Sequence, residues 1–223
     1  MTQKKFDICK ESFEYFLYEI RSQQNKANSL KGSQISATAL FSDNSIENCL
    51  GMYKEIISND KRFSLIKSQQ RKMGVTTFLC LLMYYNCVFG NKTMFYISKT
   101  ATLPMKIISE LGLILATITL SEISTNVNTK MVTFCKTNST IRFLSDTTYE
   151  FRAFKDKIDL VIFDNATLHN YEKLSYFLES SDIADGVILN FNHDENNSDV
   201  DRIESEFKDK LNIILRLNSK TQI

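Results

Sequence analysis

The segment Lys67-Ser-Gln-Gln-Arg-Lys-Met-Gly-Val-Thr-Thr77 joins one apolar run, Phe63 to Ile66, to another that begins at Phe78. Its residue types suit phosphate. A loop that cradles polyphosphate needs a glycine, so that the backbone can curl and aim its N–H groups at the oxygens; a lysine, to reach the terminal phosphates; and a hydroxyl on the first helical turn, for Mg2+. Gly74 and Thr76 supply the first and the third. The position after the glycine, where such loops carry lysine, is Val75, while Lys72 lies two residues before Gly74, with Arg71 beside it and Lys67 at the start of the loop. Two readings of these cations stand: Lys72 reaches the phosphates from a displaced position, or Lys72 and Arg71 are solvated loop charges. A charge-assisted contact of the lysine type is worth about 1.5–3 kcal/mol, so its uncompensated loss weakens phosphate binding roughly 10- to 100-fold.

A second pattern is Asp159-Leu-Val-Ile-Phe-Asp164-Asn165-Ala166, four apolar residues running into an acid. In a Walker B element a fully buried strand delivers an aspartate to the magnesium water shell at the carboxyl edge of a sheet. The alternative is a plain buried strand ending in a helix-capping Asp or Asn. Asn165 stands where hydrolysing proteins of this kind place a glutamate, and an amide cannot act as a general base.

These segments need a scaffold that sets a strand, a loop and a helix in succession. Strands are expected at Phe63 to Ile66, Met94 to Ser98, Met131 to Cys135, Thr140 to Leu144, Leu160 to Phe163, Gly186 to Phe191 and Asn212 to Leu217. Helices are expected at Thr76 to Phe89, Leu103 to Thr117, Tyr171 to Glu179 and Asp199 to Lys208, with Pro104 tolerated in a first turn. The alternation implies an α/β domain with a largely parallel sheet. Met131 to Leu144 looks instead like an antiparallel hairpin inserted into that plan. Ahead of it, Phe6 to Ile20 has the spacing of an amphipathic helix. Arg21 to Lys31, with the polar residues Ser42 to Ser45, reads as a loop, which divides the chain into an appendage, 1–45, and a main domain, 46–223.

Composition removes several classes. The chain has 223 residues, 43% of them hydrophobic, enough for one sizeable core. With 27 basic and 26 acidic side chains the formal charge is +1, so any contact with DNA must be local or built by assembly. Cys9, Cys49, Cys80, Cys87 and Cys135 lack metal-ligand spacing and are odd in number, which fits a reducing cytoplasm. The most apolar stretch, Phe78 to Phe89, is far short of the roughly 20 residues that cross a bilayer. It is expected to be a buried helix, with Tyr84 and Tyr85 on its core face. His169 and His193 are far apart in sequence and are read as surface residues; Asp194, Glu195, Asp199 and Asp201 are read as helix-start acids.

Taken together, the segments from about Leu50 to Leu217 resemble the ATPase domain of the large terminase subunit of tailed (T4-like) bacteriophages. In that family a strand leads into R-Q-x-G-K-T-T, matched here by Arg71-Lys72-Met73-Gly74-Val75-Thr76-Thr77. The second strand is matched by Lys92 to Ser98, a hairpin of the type x-N-x-S-x-I-x-F by Thr137 to Leu144, the R-G before Walker B by Arg152-Ala153, and Walker B by Asp159 to Ala166. The resemblance implies a P-loop NTPase of the RecA-like ASCE class. It implies ATP and Mg2+ as cofactors, with Arg71, Lys72, Met73, Gly74, Val75, Thr76 and Thr77 around the nucleotide and Thr76 and Asp164 at the metal. It places Asp164, Asn165 and Arg152 at the catalytic positions. It also implies a ring motor in the cytoplasm of an infected host cell that moves double-stranded DNA, with a portal protein and a small terminase subunit as partners. The departures are Val75 for lysine, Asn165 for glutamate, no glutamine near Met52-Tyr53-Lys54, and Asn190-Phe191-Asn192-His193 where a Ser/Thr-rich coupling motif is expected. They open the alternative of an inactive paralogue that serves as a binding or scaffold module. No acid triad for two-metal cleavage is placed, so no nuclease activity is expected.

Overall fold

A computed structural model describes residues 3–30, 43–58, 61, 63–68, 74–99, 102, 104–109, 111, 123–126, 128–145, 157–164, 183–192 and 198–216. Helices α1 (Gln3–Glu11), α2 (Phe13–Leu30) and α3 (Asp43–Ile57) precede β1 (Phe63–Ser68) and α4 (Val75–Phe89). Then come β2 (Thr93–Ser98), β3 (Ile123–Asn126), β4 (Met131–Phe134), β5 (Ser139–Ser145), β6 (Ile158–Asp164) and β7 (Ile183–Asn192). Helix α5 (Ser198–Phe207) and β8 (Leu211–Arg216) follow.

One eight-stranded sheet has the order β3-β4-β5-β2-β6-β7-β1-β8. From β5 to β8 every neighbouring pair is parallel, while β3, β4 and β5 are joined antiparallel. The fold is of the expected α/β class, a mostly parallel sheet flanked by helices. The strand ending in Asp164 does not touch the strand that precedes the loop: β7 lies between them, which is the RecA-like arrangement. The predicted hairpin is present, and Asn138 in its turn takes φ 55°, a left-handed conformation asparagine tolerates. Strand β3, which the reading missed, is a four-residue edge strand with no apolar run to announce it.

Alternation along the strands divides the core in two. Ile66, Met94, Tyr96, Ile141, Phe143, Leu160, Ile162, Ile188 and Ile214 pack on the side of α4 and the N-terminal helices. Leu65, Phe95, Ile97, Val161, Phe163, Val187 and Leu189 pack on the other, with Ile203 and Phe207 of α5. Helix α4 lies under the first layer, and Phe78 to Tyr84 are all buried, as its apolar run requires.

The N-terminal region differs from its reading. The expected helix Phe6 to Ile20 is two helices, and α2 continues through most of the polar stretch expected as a loop. Four buried residues, Phe13, Phe16, Leu17 and Ile20, hold α2 against the body of the fold, so its C-terminal half needs no apolar stripe of its own. Gln23 adds a hydrogen bond to Glu19 one turn back, at 3.0 Å. Helix α3 begins at Asp43, inside the other polar segment read as loop. The expected helix at Tyr171 to Glu179 lies outside the described residues; of the one at Leu103 to Thr117, residues 104–109 and 111 are described and helical. No described helix is long and apolar enough to cross a membrane.

Candidate functional site

At the start of α4, Gly74 has φ 77° and ψ 7°, the left-handed conformation that turns the chain into the helix, and its carbonyl accepts the first helical bond from Phe78 N at 2.9 Å. The helix therefore begins with N–H groups that have no intrahelical acceptor. Thr76, on that first turn, donates from Oγ1 to Asp164 Oδ2 at 2.7 Å. Asp164 is the last residue of β6 and is buried, so the two motifs read from the sequence meet at the carboxyl edge of the sheet. Val75 is buried in the α4-side core, so its side chain faces apolar neighbours. Thr77 is half-buried on the same turn.

Two further residues complete this corner. Asn190 of β7 stands directly across from Asp164 in the register and donates from Nδ2 to Asp164 Oδ1 at 2.6 Å. Tyr96 of β2 donates from Oη to Asp164 Oδ2 at 2.5 Å. On the other side of Asp164 in the register is Ser98, with Ser145 beyond it. The edge of the α4-side face thus carries a row of polar residues, Ser145, Ser98, Asp164 and Asn190, above a buried apolar row, Phe143, Tyr96, Ile162 and Ile188. Asn190 Oδ1 is buried and finds no hydrogen-bond partner among the described residues.

Burial is the first cause of the large rise in the Tyr96 phenol's pKa, followed by Cys80 and Asp164 beside it. It remains a donor. The Cys80 thiol on α4 is raised by burial first and then by the charge of Asp164. The oxygen atoms at this corner, a threonine hydroxyl, a carboxylate and an amide carbonyl, are the hard donors that suit Mg2+ together with ligand phosphates, and the orphaned Asn190 oxygen is an acceptor of the kind a metal-bound water fills.

The structure brings Gly74, Val75, Thr76 and Thr77 to the same corner as Asp164. Arg71, Lys72, Met73, Arg152 and Asn165 lie outside the described residues. Lys67 is on β1 and forms an ion pair with Glu204 of α5 at 2.5 Å, which ties the base of the loop to the far layer. Tyr53 stacks on Phe13 with centroids 4.3 Å apart. The sequence reading missed Tyr96 and took Asn190 only as a departure from a motif. The available signal for Asn190 was a polar residue ending the apolar run Val187-Ile188-Leu189, the same sign that marked Asp164.

Solved structures share this architecture. The large terminase of bacteriophage HK97 matches with a TM-score of 0.55 at 12% identity, over 82% of this chain and 40% of that one. A large terminase from a thermophilic bacteriophage matches with a TM-score of 0.55 at 9% identity, over 78% and 45%. A form of the latter in complex with ATP-γ-S gives 0.54 at 12%, over 79% and 44%. This chain spans less than half the length of those proteins, and at such identities the likeness is one of fold. No family model matches the chain, and no curated protein sequence matches it.

Proposed function

We propose that this chain is a terminase-like ATPase domain of a viral DNA-packaging motor, one that binds ATP with Mg2+ at the corner formed by α4 and β6. The observation that carries the reading is the 2.7 Å bond between Thr76 and Asp164 beneath a left-handed glycine. A hydroxyl and a carboxylate so placed at a helix N-terminus suit a phosphate-bound cation and leave the helix N–H groups for the phosphates. The shared fold with large terminases, one of them in complex with ATP-γ-S, supports the same reading.

In this proposal Arg71, Lys72, Met73, Gly74, Val75, Thr76 and Thr77 surround the phosphates, and Lys72 supplies the cation that Val75 does not. Thr76 and Asp164 hold Mg2+, which supplies neutralisation of phosphate charge. Asn165 and Arg152 take the catalytic and nucleotide-edge positions. Double-stranded DNA, a portal protein, a small terminase subunit and further copies in a ring are the partners proposed, in the cytoplasm of an infected host cell.

The burial of Val75 favours a second reading, a non-hydrolysing paralogue, because that position is committed to the core. Asn165 adds to it, since loss of a general base removes a factor of about 10²–10⁴ in rate. Calorimetric titration with Mg-ATP, run beside Lys72→Ala, tests the proposal: micromolar binding lost in the variant is expected, and absence of heat from the wild type would refute it. Asn165→Glu then separates the readings, with restored turnover pointing to a packaging ATPase and none to a scaffold.

A further inference from the structure

We propose that Tyr96 is a positioning residue that holds the Asp164 carboxylate for a hydrated divalent cation beside bound nucleotide; the inference rests on the nucleotide-site reading above. The register sets up the contact. Tyr96 pairs across the sheet with Ile162, two residues before Asp164, and residues two apart share a face. Two residues of strand span about 6.6 Å, a distance a phenol bridges when its ring lies along the sheet. Its hydroxyl then meets Asp164 Oδ2 at 2.5 Å.

The same oxygen receives Thr76 Oγ1, and Asn190 Nδ2 reaches the other oxygen at 2.6 Å. A carboxyl group turns freely between broad two-fold minima, so donors on both oxygens fix its plane. The donors come from α4, from β2 and from β7, and the plane is therefore set by the packing of the whole corner. Tyr96 is itself held: it is fully buried and its ring lies 5.8 Å from that of Phe143. A phenylalanine would fill the same space without the cost of burying a hydroxyl, so the hydroxyl is there for its bond.

Groups that orient a metal-side ligand typically change metal affinity about 10- to 100-fold when removed. The decisive measurement is calorimetric titration with ADP in excess Mg2+ and again in EDTA, for the wild type and for Tyr96→Phe, which keeps the ring and its packing. The expected result is a loss of about tenfold with Mg2+ and a change within about twofold in EDTA. Equal affinities for the two proteins under both conditions would overturn the role of Tyr96 and leave the nucleotide reading standing. Parallel losses under both conditions would also overturn it, since a merely structural tyrosine makes no such split. A wild type that binds no ADP would refute the nucleotide reading instead. Tyr96 is then judged on Mn2+ alone by electron paramagnetic resonance, where weaker binding by Tyr96→Phe supports its role, and equal or absent binding overturns it.

Discussion

At Gly74 the backbone is left-handed, at φ 77°, and among the described residues a β-carbon built there would meet no atom within 4 Å. Any penalty for a side chain is thus backbone strain rather than crowding, about 1–2 kcal/mol. Gly74→Ala should lower the melting temperature by a few degrees, roughly 2–4 °C per kcal/mol for a chain of this size. It should also weaken Mg-ATP binding, because relief of the strain swings the first turn of α4 and Thr76 with it. Differential scanning fluorimetry and calorimetry on one preparation check both; an unchanged melting temperature would show that the turn is adaptable. Gly74, Thr76 and Asp164 were legible from sequence because each borders a long apolar run, where a turn or a sheet edge must fall. Tyr96 was not, because its role depends on which strand lies beside β6, and no single sequence states strand order. A tyrosine within Thr93 to Ser98 reads as any core aromatic.

At the scale of elements, the seam between α2, α3 and α4 is aromatic. Phe13 stacks on Tyr53 at 4.3 Å, meets Tyr85 edge-on at 5.1 Å and approaches Phe78 at 6.4 Å. Phe16 lies against Tyr85 and Phe89 at 5.2 and 5.9 Å. Tyr85 Oη adds a bond to Lys10 O at 2.8 Å, which fixes α1 as well. Truncating a buried phenylalanine costs about 3–5 kcal/mol, and Phe13→Ala should lose that much in urea denaturation. Because Phe13 and the α4 residues belong to one core, a single transition is expected, at a lower midpoint. Two separate transitions would mean that the N-terminal helices unfold as an independent unit. Apart from β3, the strands and α4 were readable because their burial is written in period and composition. The reach of α2 was not, since tertiary anchoring at its N-terminal half overrides the polarity of its C-terminal half.

For the molecule as a whole, the packing of α4 against the sheet makes a prediction about alkaline stability. The Cys87 thiol is buried on α4, its Sγ 3.8 Å from Met94 Sδ of β2. Burial first, and then the charge of Asp159, push its pKa far above the ordinary 9.0. Burial likewise lifts the Tyr85 phenol from 10.0 to about 12, with Tyr53 and Cys9 adding to it. Both groups are neutral when protonated, so a raised folded value means that the folded chain keeps protons the unfolded chain has lost. Their contribution to stability is whole below the unfolded values and falls as pH rises through about 9 and 10 towards the folded values. Each fully sealed group costs at most about 1.4 kcal/mol per pH unit across that window, and half-buried Tyr85 costs less because water screens it. The melting temperature should be level from about pH 7 to 8.5 and then decline, and Cys87→Ala should flatten the decline while lowering the plateau through its small cavity. A wild-type curve that stays level past about pH 10 would mean that Cys87 exchanges with water in the folded state. The layer joining α4 to the sheet would then be too loose to hold Thr76 at bonding distance from Asp164.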